Sequence, residues 1–170
     1  MVYLVVSDIH GSRKGMDLLK QGVNHFKPDL IVLLGDILHG AYDSSSSSYV
    51  ADSFKEMKIP VIAVRGNCDY VDDSNVLGFD LPEFRSINIF GYTAHLSHKP
   101  LMYTSFPPKE MTINGHTHIK GLYSEKGVIH LNPGSIGLPR DGVASFAVID
   151  ENKVSLIDAS NLREIEALSL

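Results

Sequence analysis

The chain has one cysteine, Cys68, among its 170 residues, and that excludes an intrachain disulfide. No apolar run approaches the roughly 20 residues of a membrane-spanning helix, and the N-terminus has no basic segment ahead of an apolar signal core. A cytoplasmic protein with no membrane partner is the expectation. Positive charge is scarce too. With 15 Lys and Arg against 20 Asp and Glu the formal net charge is -5, so general nucleic-acid binding is not expected, although bound cations would still draw an anionic substrate. There is no internal repeat and no composition break that would mark a linker. What is present, 44% hydrophobic residues and 21% charged ones, suits one soluble globular domain over residues 1–170 with a sizeable core. Its oligomeric state, a homo-oligomer included, is left open.

The first half alternates strand and helix. Leu4-Val5-Val6 reads as the end of a buried strand and runs into Ser7-Asp8-Ile9-His10-Gly11. On a strand Asp8 and His10, two residues apart, point to the same side, and Gly11 lets the backbone turn away. From Arg13 to Phe26, the residues Met16, Leu19, Val23 and Phe26 recur at spacings of three and four. That predicts an amphipathic helix, capped by Ser12 and broken at Lys27-Pro28-Asp29. Leu30 to Leu34 is uninterrupted apolar sequence, as expected of a parallel strand covered on both faces, and it ends in Gly35-Asp36. Ser44 to Ser48 reads as a polar loop, Tyr49 to Met57 as a second helix, and Val61 to Val64 as a third strand leading into Arg65-Gly66-Asn67-Cys68-Asp69. After about residue 80 the runs become shorter and alternate, at 84–90, 92–97, 121–124, 128–131, 143–149 and 154–157. Turns of Gly and Pro separate them, and the pattern predicts a largely antiparallel region.

Three successive strands thus end in polar clusters, and in open α/β sheets ligands collect beyond the carboxyl ends of the strands. The second half adds His98 after the strand at 92–97, and Gly115-His116-Thr117-His118 after a run ending in Asn114. His116 and His118 repeat the two-residue spacing of Asp8 and His10, so on a strand they too share a side. A lone histidine is more often structural or solvated than a ligand. Jointly, two Asp, one Asn and four His, each just after a strand, supply enough oxygen and nitrogen donors for two divalent ions if one carboxylate bridges. Asp36 is the natural bridge. Asn132-Pro133-Gly134-Ser135 reads as a tight turn with a structural task.

Six strings, D-I-H-G at 8–11, G-D at 35–36, G-N-C-D at 66–69, S-H at 97–98, G-H-T-H at 115–118 and N-P-G-S at 132–135, span nearly the whole chain in one order. Together they resemble the calcineurin-like metallophosphoesterases, and within them the small single-domain phosphodiesterases of bacteria and archaea. The resemblance implies an α/β fold, a four-layer αββα sandwich of two facing mixed sheets flanked by helices, with the metal-binding loops along one edge. It implies Asp8, His10, Asp36 and His118 around one divalent ion, and Asp36, Asn67, His98 and His116 around a second. Manganese is the first choice, with Fe, Ni, Co, Zn or Mg as alternatives. Asn67, a neutral oxygen donor, would leave the cations more electrophilic. A metal-bridging hydroxide would then attack the phosphorus of a small-molecule phosphate ester, a phosphodiester first.

By the same resemblance Asp36, Asn67, Cys68 and Asp69 form the catalytic set. Two positions depart from the wider family. Lys99 and Pro100 stand where many relatives carry Gly and a second His after the residue matching His98. Cys68 stands where other branches carry a His that pairs with the following acid and protonates the leaving group; cysteine there also occurs in the small phosphodiesterases. The resemblance extends to a eukaryotic coat-complex subunit of this fold that binds proteins, so a catalytically weak or inactive protein-binding scaffold is the alternative. All seven ligand positions carry residues able to coordinate, and that favours the enzyme. His39 and His95 match no ligand position, and Arg140 has no assigned role.

Overall fold

The apolar runs become strands covered on both faces. The computed structural model describes residues 1–40, 44–101 and 106–170. In chain order the elements are β1 (Tyr3–Val6), α1 (Arg13–Phe26), β2 (Leu30–Leu33), α2 (Ser44–Glu56), β3 (Val61–Ala63), α3 (Asp73–Leu77), β4 (Phe84–Ile89), β5 (Tyr92–Ser97), β6 (Glu110–Asn114), β7 (Gly121–Glu125), β8 (Val128–Asn132), β9 (Ser145–Ile149), β10 (Lys153–Asp158) and β11 (Glu164–Ser169). They form a six-stranded sheet in the order β11-β10-β9-β1-β2-β3 and a five-stranded sheet in the order β4-β5-β6-β8-β7. Alternation along the central strands divides the core in two. Leu4, Val6, Ile31 and Leu33 pack with Met16, Leu19, Val50, Phe54 and Leu77 of the helices. Tyr3, Val5, Val32 and Leu34 pack with Leu96, Met111, Ile113 and Leu131 of the second sheet. The two facing mixed sheets are those expected. Among the described residues, all three helices lie on the outer face of the first sheet, and no helix covers the outer face of the second.

Helix α1 matches its expected span. Ser12 Oγ accepts a hydrogen bond from the Gly15 N–H at 3.0 Å, and Lys27 closes the helix in the left-handed region at φ 50° before Pro28. The second helix departs from expectation, because it begins at Ser44 and not at Tyr49. Serine is at most about 0.7 kcal/mol per residue worse than alanine in a helix. Burial of Val50 and Phe54 contributes about 1.5–3 kcal/mol each and outweighs that preference. The Ser47 hydroxyl also donates to the Leu38 carbonyl at 2.5 Å, which ties the early helix to the loop after Asp36.

The second half is antiparallel in its hairpins, β4 with β5 and β7 with β8, yet parallel at the centre of the second sheet, where β5 pairs with β6 and β6 with β8. The hairpin of β7 onto β8 reverses the chain once more, so β8 returns in the direction of β6. This parallel core matters for function. Because β1, β2 and β3 run parallel, and β5 runs parallel to β6, each group delivers its carboxyl ends to one edge. Asp8, Asp36, Asn67, His98 and His116 all follow those ends.

Candidate metal centre

The side chains meet through loops. Strand β1 stops at Val6 and β6 at Asn114, so neither two-residue spacing lies on a strand as the alternation rule assumed. Asp8, His10, Asp36, His116 and His118 instead sit in the left-handed region, with φ between 52° and 68°. Such backbone costs of order 1–3 kcal/mol per residue and persists where the surroundings enforce it. Here hydrogen bonds do so: His10 N–H donates to the Asp36 carbonyl at 2.8 Å, Asp8 N–H to the Gly35 carbonyl at 3.1 Å, and His116 N–H to Asp8 Oδ2 at 3.0 Å. One consequence corrects the expectation for the second pair. His116 and His118 do not share a side; His116 turns toward His98 and His118 toward His10.

Asp8, His10, Asp36 and His118 form a buried group whose candidate ligand atoms all lie within 4.8 Å of one another. Asp8 Oδ1 is enclosed, accepts no hydrogen bond, and lies 3.2 Å from His118 Nε2. A buried carboxylate oxygen without a donor costs free energy unless a cation sits against it. The histidines lead to the same point. His10 Nδ1 lies 2.6 Å from the His39 carbonyl and His118 Nδ1 lies 2.7 Å from the Leu138 carbonyl, so each Nδ1–H donates and each Nε2 is left as an acceptor. Those two Nε2 atoms face each other at 3.2 Å. Two lone pairs so placed repel unless something positive lies between them.

The second group repeats the pattern. His98 donates Nδ1–H to the Leu34 carbonyl at 2.7 Å, which aims Nε2 at Asn67 Oδ1, 3.0 Å away, and at His116 Nδ1, 3.2 Å away. The Asn67 amide nitrogen donates to Cys68 Sγ, so its oxygen faces the centre. Asp36 stands between the groups. Its Oδ1 accepts the Cys68 N–H at 2.8 Å, while Oδ2 lies 3.6 Å from His10 Nε2 and 3.4 Å from His98 Nε2. Burial raises the Asp36 pKa, but the His98 hydrogen bond, the Cys68 amide and both imidazoles outweigh it and hold the group at about 2. Burial lowers His98, yet Asp36 and the Leu34 carbonyl prevail and its pKa is raised. His116 is lowered, by burial first and then by His98 and Lys99.

Asp69, expected in the catalytic set, also has a structural task. Its Oδ2 accepts the amides of Asp36 and Gly66 and its Oδ1 the amide of Ile37, each at 2.8 Å, so it fastens the two loops together. Gly66 allows that closeness: a Cβ there would come within 2.1 Å of Asp36 Oδ1. Without metal, burial and then the charge and hydrogen bond of Asp36 push the Cys68 thiol up to about 11. Asn132 and Ser135 support the centre from outside. The Asn132 amide donates to the Gly115 carbonyl and Thr117 Oγ1, and Ser135 Oγ donates to the Asp8 carbonyl. His95 is on the outer face of the second sheet with Glu110 and Ser86. His39 reaches the centre only through its carbonyl, its ring being paired with Asp73. The carbonyl anchors on Leu34, His39 and Leu138 had no sequence signal, since any residue supplies one.

The donors are imidazole nitrogens and carboxylate or amide oxygens at converging strand ends, the set that suits divalent transition ions. The sequence matches the calcineurin-like phosphoesterase superfamily domain over residues 1–153. The chain belongs to that superfamily. Among its fellow members, phosphodiesterase YfcE of Escherichia coli K12 is 30% identical over 168 residues, covering 92% of this chain and 91% of that protein. A probable metallophosphoesterase of Methanocaldococcus jannaschii, MJ0623, is 27% identical, covering 92% and 81% respectively. The structure of the E. coli phosphoesterase Yfce aligns with a TM-score of 0.90 at 26% identity over 99% of both chains. Vacuolar protein sorting 29 of Cryptosporidium parvum, at 18% identity and a TM-score of 0.67 over 99% and 96%, shares the fold alone.

Proposed function

We propose that this phosphoesterase is a dinuclear-metal-dependent phosphodiesterase acting on a small-molecule ester, with manganese the first candidate and Fe, Ni, Co, Zn or Mg as alternatives. The observation that carries the reading is Asp36 Oδ2, poised between two groups of candidate ligand atoms that each converge on a point. Asp8, His10 and His118 would hold one ion with Asp36, and Asn67, His98 and His116 the other. When bound, the ions would supply charge neutralisation for a phosphoryl group and an activated water. The chain's own part is to aim the donors. Hydrogen bonds to carbonyls fix the tautomers of His10, His98 and His118, and Asn67 adds an oxygen without adding charge. The name of the E. coli relative supports the preference for diesters.

The test is hydrolysis of bis(4-nitrophenyl) phosphate by chelated protein resupplied with each candidate metal, combined with anomalous scattering from manganese-soaked crystals. Wild type should show two peaks and metal-dependent turnover. Asn67→Ala and His98→Ala should empty one position, and His10→Ala and His118→Ala the other. Loss of the same peak in all four, or no turnover with any metal, would sink the reading.

The pKa shifts add a dependence on pH. Asp36 is depressed to about 2, so its stabilising contribution is present above its ordinary 3.8 and is lost as pH falls through 2. His98 is raised, so its contribution is full below its ordinary 6.5 and is lost as pH rises through its higher folded value. The metal-free protein should therefore be most stable in mildly acidic buffer. A divalent ion held by His98 would compete with its proton, so the rise in Tm with manganese should grow with pH. Thermal melts across this range with and without manganese measure it, and a rise independent of pH would refute the linkage.

A further inference from the structure

A cavity of about 720 Å³ opens beside the second ligand group, lined by Asn67 and His98 and, beyond them, by Arg65, Glu83, Lys99 and Leu101. Pockets of about 300–1,000 Å³ accommodate whole small molecules, so an ester's organic arm has room here beyond its phosphoryl group. The charges on the lining are not equivalent. Arg65 Nη2 lies 2.5 Å from Glu83 Oε1, so these two charges offset each other. Asp69 is buried, with both oxygens taken by backbone amides. Lys99 is exposed at the position following His98 and has no carboxylate partner among the described residues. In a chain of net charge -5, this ammonium places a positive charge on the cavity wall beside the candidate metal centre.

We infer that Lys99 determines specificity by receiving a second anionic group, a carboxylate or phosphate, carried on the organic arm of the phosphoester. The inference rests on the metal-centre reading above. With the phosphoryl group on the metal centre and the arm in the cavity, the ammonium meets that anion, while the charge of Glu83 is offset by Arg65. Pro100 and Leu101 leave an apolar surface for the arm itself.

The test is calorimetric binding of two non-hydrolysable probes to the manganese-loaded protein: 4-phosphonobutyrate, and butylphosphonate, which has a methyl group in place of the carboxylate. Wild type should prefer the first by about three- to tenfold, and the preference should shrink with added salt. Lys99→Met should bring the ratio near one, Lys99→Arg should restore it, and Lys126→Met, on the exposed turn between β7 and β8, should leave it as in wild type. Equal binding of both probes to wild type, or a preference that survives Lys99→Met, would overturn the role of Lys99 while cleavage of bis(4-nitrophenyl) phosphate kept the metal centre standing. Failure to bind either probe together with absence of that cleavage would overturn both.

Discussion

Asp36→Ala is expected to lower phosphodiester hydrolysis by about 10³-fold or more and to leave no tightly held pair of ions. Asp36 is the only carboxylate among the described residues that faces both ligand groups, with Oδ2 at 3.6 Å from His10 Nε2 and 3.4 Å from His98 Nε2. Removing a single preorganised electrostatic group from an active site already costs about 10² to 10³-fold, and this one would serve two ions at once. The fold should survive. The residue lies past the end of β2, and its truncation removes a buried charge while leaving the core strands intact. The Cys68 amide, left without its acceptor, costs about 1–3 kcal/mol. Asp36→Asn separates the two effects: an amide oxygen can still accept that N–H, so most of the Tm should return, while the charge needed to bridge the ions does not. Manganese calorimetry and thermal melts on both variants give the answer. Two tightly bound ions in Asp36→Ala would show that the bridge lies elsewhere.

The parts of this molecule governed by apolar patterning were legible from sequence. Leu30 to Leu34 could only be a doubly covered strand, and Ser12 with Lys27-Pro28 bounded α1 to the residue. Where packing overrode local composition, reading failed: the serines before Tyr49 were helical because Val50 and Phe54 fasten the helix to the core. Strand β11 escaped notice because it is an edge strand, almost wholly exposed, in which Glu164 and Glu166 alternate with Ile165 and Ala167. Neither could the parallel pairing of β5 with β6 be read from short alternating runs, though it brings His98 and His116 together. Within the site, residue types marked where donors would be but not how they are aimed. The left-handed backbone at five of the seven positions sends His116 and His118 apart, where strand alternation would have kept them side by side. Asp69 shows the same limit. An acid beside a catalytic position reads as a partner for a proton donor, yet three backbone amides claim its oxygens.

Cys68→His is expected to accelerate cleavage of alkyl phosphodiesters far more than aryl ones. An alkoxide is a poor leaving group and gains from protonation in the transition state, whereas an aryl oxide departs without much help. The native thiol cannot give that help. It is a weak hydrogen-bond donor, and in the metal-free site burial and the nearby charges of Asp36 and Asp69 push its pKa up to about 11. An imidazole at the same position titrates near neutrality and donates well. General-acid catalysis contributes about 10² to 10⁴-fold when the donor is well oriented. Here the natural orienting group, Asp69, already accepts two amides on Oδ2 and one on Oδ1, which leaves a single lone pair on Oδ1 for a new ring. The gain on alkyl esters should therefore fall toward about 10²-fold. The wild type should discriminate steeply by leaving-group pKa, and the variant should flatten that slope. Rates for a graded series of aryl and alkyl diesters, measured on both proteins at matched manganese occupancy, decide it. Parallel slopes would mean that protonation at the leaving oxygen comes from solvent and that position 68 has no part in it.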